Sequence, residues 1–274
     1  MFHYFGFGSN MSLASLAAKG VLPLNSRRAT LAGWRLRFNV QHFFRHEGGV
    51  GNIEFTGNTD DRVLGVLHEC TDDALPLLDA AEAYGYGYNR VSVDVTVDTT
   101  EKSASKHHHQ MVNALTYIGM PEFINDECRP SQRYMNIIIK GARQAQIDEA
   151  YIQQLETLTL HRCEDYPPFQ KPAGQHPTFD AASLAKHNEY TALAGAVFDM
   201  SAARPIHTYL KSYFGGKDMT LFHLKRLDCS NNKETTDDIR KGRLNQAQQR
   251  YLNAYLNEYA REYRFIGHYN YNND

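Results

Sequence analysis

The sequence predicts an α+β protein, strand-rich in its first part and α-rich in its last, and three observations carry that reading. Residues 1 to about 160 alternate short strand-like runs with few helices. Helical spacing of apolar residues takes over from Ser131 to Leu160, and a proline-rich stretch then separates this part from a C-terminal region.

The chain opens on an aromatic strand, Tyr4-Phe5-Gly6-Phe7, that runs into Gly8-Ser9-Asn10-Met11. Two small residues and an Asn tolerate positive φ and let the main chain approach a ligand closely. Ser9 or Asn10 can cap a helix expected over Met11 to Lys19. Such a turn either cradles a carboxylate or oxyanion on its N–H groups or merely connects strand to helix.

The following elements are read in order. Leu31 to Val40 alternates Trp34, Leu36, Phe38 and Val40 with polar partners, the period of a half-buried strand. Gly48-Gly49-Val50-Gly51 marks a turn or bulge before a run over Asn52 to Thr56, and Val63 to Cys70 reads as a central strand. Asp72 to Ala83 has a capping Asp followed by Leu75, Leu77, Leu78 and Ala81, a short helix. Val91, Val93, Val95 and Val97 alternate strictly, and Val112 to Ile118 supplies another strand. His107-His108-His109 falls between these two and reads as a solvated hairpin loop. Ser131 to Gly141 and Asp148 to Leu160 read as helices, with Gly141 as a helix end.

Between Glu164 and Lys186 the prolines 167, 168, 172 and 177 and few aliphatics indicate a linker or an ordered extended crossover. We therefore divide the chain into residues 1–163, a connection over 164–188, and a C-terminal region of 189–274. That region holds a strand candidate at Leu193 to Phe198, a Gly215-Gly216 loop, an apolar segment Met219 to Leu227 and a final helix from about Asn245. The helix places Tyr251, Leu252, Tyr255, Leu256, Tyr259 and Tyr263 on one side, a stripe suited to packing.

Composition narrows the classes of function. The 274 residues carry a formal charge of −2 and a pI near 6.7, which gives no electrostatic reason to bind nucleic acid or an anionic membrane. No basic and apolar leader opens the chain, and no apolar run suits a bilayer span, so a cytoplasmic location is expected. Cys70, Cys128, Cys163 and Cys229 are widely spaced and fit reduced thiols rather than metal ligands. Motifs for a serine nucleophile elbow, a phosphate loop, a zinc helix or a dinucleotide fold are missing, so an enzyme here is expected to use neither metal nor nucleotide. Acid/base chemistry on a substrate with its own nucleophile remains. Glu82 suits that role by context, placed between Leu77-Leu78-Asp79-Ala80-Ala81 and the aromatic, glycine-rich Tyr84-Gly85-Tyr86-Gly87-Tyr88. It is otherwise a solvated helical glutamate, and Asp79 is its nearest rival.

These segments together resemble the γ-glutamylcyclotransferase family. Residues 4–11 are similar to its Tyr-Gly-Ser-Asn signature, and Leu78-Asp79-x-x-Glu82 followed by Tyr88-x-Arg90 to its catalytic glutamate segment. Gly33-Trp34-Arg35-Leu36-x-Phe38, Gly51-Asn52-Ile53, Val63-Leu64-Gly65-Val66-Leu67, Thr116-Tyr117 and Pro130-Ser131-x-x-Tyr134 with Lys140-Gly141-Ala142 follow in the family's order, over residues 2 to about 160. Phe7 stands where the family usually has Tyr, which puts substrate choice in question.

The resemblance implies a small mixed β-barrel with flanking helices, beside the α-rich C-terminal accessory region. It implies a cofactor-free enzyme that cyclises a γ-glutamyl dipeptide or amine to 5-oxoproline, with Glu82 as general acid/base. Backbone N–H groups of Gly8, Ser9 and Asn10 would then hold the glutamyl group and help stabilise the developing oxyanion, with Phe7 also at the substrate and Tyr88 and Tyr117 as pocket contacts or else barrel core residues. Ser9 has no assignable base and is not taken as a nucleophile. The expected partner is a small γ-glutamyl molecule, and a homodimer is compatible with this reading. A γ-glutamylamine cyclotransferase or a biosynthetic deprotecting enzyme shares the chemistry. A non-catalytic binding module whose C-terminal region recruits a partner or haem is the alternative of another class.

Gly195 to Ser201 and Phe214 to Thr220 faintly resemble the opening strand and Gly-Gly-Lys-Asp turn of cytochrome b5-like modules. Tyr213-Phe214 stands where a haem-ligating His would precede the glycines, leaving His207, His223, Tyr209 and Tyr213 as residues to weigh, each also a packing or surface residue. Binding, dimerisation or a lid are the uses open to this region.

Overall fold

The computed structural model describes residues 1–98 and 109–273, and the chain divides into two compact units, 1–42 with 47–162 and 43–46 with 163–274. The His107-His108-His109 loop reading lies outside the described residues, save the backbone of His109.

The first unit is built on a closed barrel of five strands in the order β1-β5-β2-β6-β7. These are β1 (Phe2–Gly6), β2 (Asn25–Ala32), β5 (Arg62–Cys70), β6 (Tyr88–Asp98) and β7 (His109–Gly119). Every neighbouring pair is antiparallel except β1 with β7, which run parallel where Tyr4 meets Leu115 and close the barrel. Alternation decides what fills it: Phe5, Leu31, Val63, Leu67, Val93, Val95, Val97 and Ala114 form one buried cluster. β3 (Trp34–Gln41) and β4 (Gly49–Phe55) form a separate two-stranded sheet. The expected single strand over Leu31 to Val40 is thus two, because Gly33 takes φ +78° and turns the chain between β2 and β3.

Among the described residues four α-helices flank the barrel. The helix expected over Met11 to Lys19 is shorter: Ser9–Met11 is a 3-10 turn, and α1 (Leu13–Ala18) is capped by the Ser12 hydroxyl, which accepts from the Ser15 N–H, and not by Ser9 or Asn10. α2 (Ala74–Ala81) follows Asp73, whose side chain makes no cap bond, while Asp72 pairs with the N-terminal ammonium. α3 (Gln132–Gln144) starts at the Ser131 cap and runs past Gly141, so that glycine is no helix end. Gly141 is buried where α3 lies against the Ser9–Met11 turn, and a Cβ there would come within 2.8 Å of the Ser12 nitrogen. α4 (Glu149–Glu156) packs on α3 through Ile152 and Leu155.

The second unit combines helices α5 (Ala181–Leu184), α6 (Thr208–Phe214), α7 (Thr220–Lys225), α8 (Thr236–Arg240) and α9 (Gln246–Glu262) with a five-stranded sheet that the sequence did not reveal. Its order is β11 (Lys217–Asp218), β9 (Tyr190–Leu193), β10 (Ala196–Asp199), β12 (Arg264–Tyr269), β8 (Thr178–Phe179). The strand expected over Leu193 to Phe198 is a hairpin, turned at Ala194 and Gly195. The proline-rich stretch takes the ordered, extended form: Tyr166 donates to Glu258, the Phe169 N–H donates to Asn253, and Thr178–Phe179 pairs with β12. Prolines suit such a path because they hold φ and bring no N–H to satisfy.

The tyrosine stripe packs. Tyr251, Tyr255, Tyr259 and Tyr263 are buried with Phe44, which stacks on Tyr259 at 5.2 Å between ring centres. His207 and His223 sit in this core, each within 2.9 Å of a tyrosine hydroxyl, Tyr263 and Tyr259 respectively. Tyr209 and Tyr213 stack on one another. Among the described residues no group of three His, Cys, Asp or Glu side chains is gathered to hold a metal ion, and no helix is long and apolar enough to cross a membrane.

The contact at Gly141 gives a test of the barrel unit's packing. Gly141→Val should destabilise it by about 1–3 kcal/mol through overpacking against the Ser12 backbone, read as a lowered denaturation midpoint at unchanged slope.

Candidate functional site

The strand β1 ends at Gly6, and the chain turns at once, so residues 7–10 lie at one end of the barrel. On the other side α2 ends at Ala81, and Glu82 takes the C-cap position with φ −92° and ψ 3°. Both are brought to one pocket, lined by Tyr4, Phe7, Gly8, Ser9, Asn10, Gly51, Glu82, Tyr88, Tyr117 and Tyr134. All seven residues singled out in the sequence line it, and Tyr4, Gly51 and Tyr134 join them.

Asn10 organises the polar contacts. Its amide nitrogen donates to the Glu82 carboxylate at 2.9 Å and to the Tyr4 hydroxyl at 2.5 Å, and its amide oxygen accepts from Lys19 at 2.6 Å. Lys19, the C-cap of α1, also donates to the same Glu82 oxygen at 2.9 Å. The Glu82 carboxylate is thus held by named donors rather than set in a purely apolar pocket, as its sequence neighbours had suggested. Asp79, its rival, accepts from the Tyr117 hydroxyl at 2.7 Å and pairs with Arg90 at 3.3 Å. It serves Tyr117 and does not line the pocket.

A second set of donors comes from the main chain. The Gly51 N–H donates to the Tyr134 hydroxyl at 3.1 Å, and the Ser9 backbone bonds the same oxygen. The Tyr134 hydroxyl reaches them because Gly8 and Gly51 lack side chains: a Cβ on either would lie 3.0 Å from it. Tyr88 donates to the Gly51 carbonyl at 2.8 Å. Burial pushes the hydroxyls of Tyr4, Tyr88, Tyr117 and Tyr134 above the ordinary phenol range, with the Glu82 charge adding to the shift, so all four stay protonated at neutral pH.

As the side chains stand, the pocket has a free volume of about 30 Å³, roughly that of one water. A larger guest requires rim side chains to move. A wider groove of about 670 Å³ lies elsewhere on this unit, lined by β2, β3 and α4 with Arg28, Leu36 and Tyr151 among its walls. None of the sequence-derived candidates lines it, and its Arg35 is already paired with Asp61 at 2.9 Å. Convergent donors on a carboxylate, and not volume, make the smaller pocket the candidate site.

Sequence reading missed Tyr4, Lys19, Gly51 and Tyr134. Three of them lie in segments that carry the family resemblance, but nothing in their spacing shows that they converge. Lys19 lies sixty-three positions from Glu82 and has no motif at all.

Residues 62–155 match the model of the AIG2-like family. The chain is 26% identical over 176 residues to the γ-glutamyl cyclotransferase aclK of Aspergillus oryzae, covering 60% of this chain and 63% of that one. The chain therefore spans about 63% of the length of this curated relative. Among solved structures, a γ-glutamyl cyclotransferase is similar at 24% identity and a TM-score of 0.47, covering 58% of this chain and 89% of that one. YkqA from Bacillus subtilis is similar at 23% identity and 0.46, covering 58% and 56%.

His68 supports the site from behind and gives it a pH dependence. Its Nε2 lies 2.9 Å from the Asn10 carbonyl, which can only accept, so Nε2 carries the hydrogen and Nδ1 accepts from the Ser26 hydroxyl at 2.8 Å. Burial lowers its pKa to about 4. The unfolded chain takes up this proton near pH 6.5 and the folded one near 4, so the contribution is full above about 6.5 and lost as pH falls toward 4. Denaturant titrations between those pH values should show a loss on the order of 3 kcal/mol that His68→Gln removes from the profile.

Proposed function

We propose that the barrel unit is a γ-glutamylcyclotransferase-type enzyme that converts a small γ-glutamyl compound to 5-oxoproline and a free amine. The observation that carries this reading is the Glu82 carboxylate, held by the Asn10 amide and Lys19, in one pocket with the Phe7–Asn10 turn. The family segment over residues 62–155 supports it.

The substrate supplies its own nucleophile. Its α-nitrogen attacks the γ-amide carbon, a C–N bond closes the five-membered lactam, and the bond to the departing nitrogen breaks. The lactam nitrogen keeps one of the three ammonium hydrogens, and the other two leave on the released amine. Glu82 is the group placed to carry them. Proton transfer by a positioned side chain contributes about 10²–10⁴-fold. The main-chain donors of Gly8, Ser9 and Asn10 hold the glutamyl group, and oriented intramolecular attack supplies much of the remainder. Phe7 lines the pocket without a hydroxyl, so it shapes the pocket by contact alone. Tyr88 and Tyr117 serve as walls, fixed by Gly51 and Asp79. A dipeptide, a γ-glutamylamine or a larger γ-glutamyl intermediate meets the same requirements, since each differs only in the leaving amine.

Incubation with γ-glutamyl dipeptides, γ-glutamyl-lysine and glutathione should release 5-oxoproline from at least one of them. Glu82→Gln should lower that rate by about 10²-fold or more in protein that remains folded. Product from none of the three classes, or an undiminished rate in the variant, overturns the proposal.

A further inference from the structure

Lys19 is a contact of the Glu82 carboxylate that the proposed reaction leaves unexplained. It is a cation in a nearly closed site: its side chain is 11% exposed and that of Glu82 15%. Its nitrogen is 2.9 Å from Glu82 Oε1 and 2.6 Å from Asn10 Oδ1, so one ammonium bridges two acceptors. A γ-glutamyl substrate also brings an ammonium that must reach Glu82. Two ammonium groups on one carboxylate oxygen repel, and a base whose lone pair is engaged by a lysine is slow to take a proton.

We propose that Lys19 is a positioning residue that acts by ion-pair exchange. In the empty site it holds Glu82 ionised and aimed into the pocket. When the substrate ammonium arrives it gives up the carboxylate, stays on Asn10, and yields its place on Glu82 to the substrate's proton. This inference rests on the reading of Glu82 as the acid/base group. Asn10 makes the exchange feasible because its oxygen takes the shorter of the two Lys19 contacts, while its nitrogen keeps hold of Glu82 and Tyr4.

The other groups facing Glu82 do not substitute for Lys19. Tyr4 from β1, Tyr88 from β6, Tyr117 from β7 and Tyr134 from α3 are buried phenols that stay neutral. Asp79 and Arg90, the nearest charged pair on α2 and β6, are engaged with each other, and Arg90 also lies over the Tyr84 ring. His68 from β5 is held neutral behind Asn10.

The exchange predicts a split between two pH profiles. The acid limb of kcat/KM reports the free enzyme and that of kcat the bound complex. Lys19→Met should move the limb in kcat/KM upward by about 1–3 pH units, the range expected on losing an opposite charge at this distance, and leave the limb in kcat in place. Lys19→Arg should restore the first limb. An unmoved limb in kcat/KM, or equal movement of both, overturns the proposal. A reading independent of turnover is available from protein labelled with ¹³C at the glutamate carboxyls, with Glu82→Gln identifying the resonance. The Glu82 titration midpoint should rise in Lys19→Met, and an unchanged midpoint overturns the role of Lys19 even if the protein makes no 5-oxoproline. Failure of turnover in the unaltered protein, by contrast, overturns the catalytic reading alone.

Discussion

The buried amide of Asn10 is the constraint on which the site depends. A polar side chain taken out of water must find its partners or destabilise the fold by about 1–3 kcal/mol. Asn10 meets this demand from elements far apart in the chain: Tyr4 on β1, Lys19 at the end of α1, Glu82 at the end of α2, and His68 on β5 through its carbonyl. The contact with Glu82 therefore also fixes the turn after β1 against the end of α2. The stability of the fold and the aim of the carboxylate are one requirement.

Barrel closure makes that arrangement available. β1 is bonded to β5 along its length but meets β7 only around Tyr4 and Leu115, with the Thr116 hydroxyl donating to the Phe5 carbonyl at 2.8 Å. The strand is free to leave the barrel at Gly6. Its continuation covers the barrel end instead of extending the sheet, and α3 holds it there because Gly141 allows close approach. The placing of residues 8–10 at the pocket is the outcome of a strand that stops early.

Much of this was legible in the sequence where periodicity was strong. The valines of β6, the apolar run of β5 and the tyrosine stripe of α9 were read with the correct type, because alternation and helical spacing report directly which side is buried. Glu82 and the residue 7–10 turn, singled out from their surroundings, line one pocket. What failed were features set by backbone geometry or by partners distant in sequence. Gly33 splits one apparent strand into two, Gly141 serves helix packing instead of ending a helix, and Ser12 rather than Ser9 or Asn10 caps α1. The sheet of the second unit stayed hidden because its strands run from two to six residues, too short for a period to show. Lys19 stayed hidden because an ion pair across the fold leaves no local pattern.

Phe44 shows that the two units are not two consecutive pieces of chain. Four residues, 43–46, leave the first unit between β3 and β4 and pack in the core of the second, where Phe44 touches Tyr255, Tyr259 and Tyr263. Cutting the chain after residue 162 would strand two phenylalanines, Phe43 and Phe44, outside any core on the excised barrel. The second unit made from 163 onward would fold around a vacancy the size of an aromatic ring. In synthesis, too, residues 43–46 leave the ribosome some two hundred positions ahead of α9 and must wait for it. The barrel can close early, but the piece of chain it lends out is settled only when the last long helix is complete.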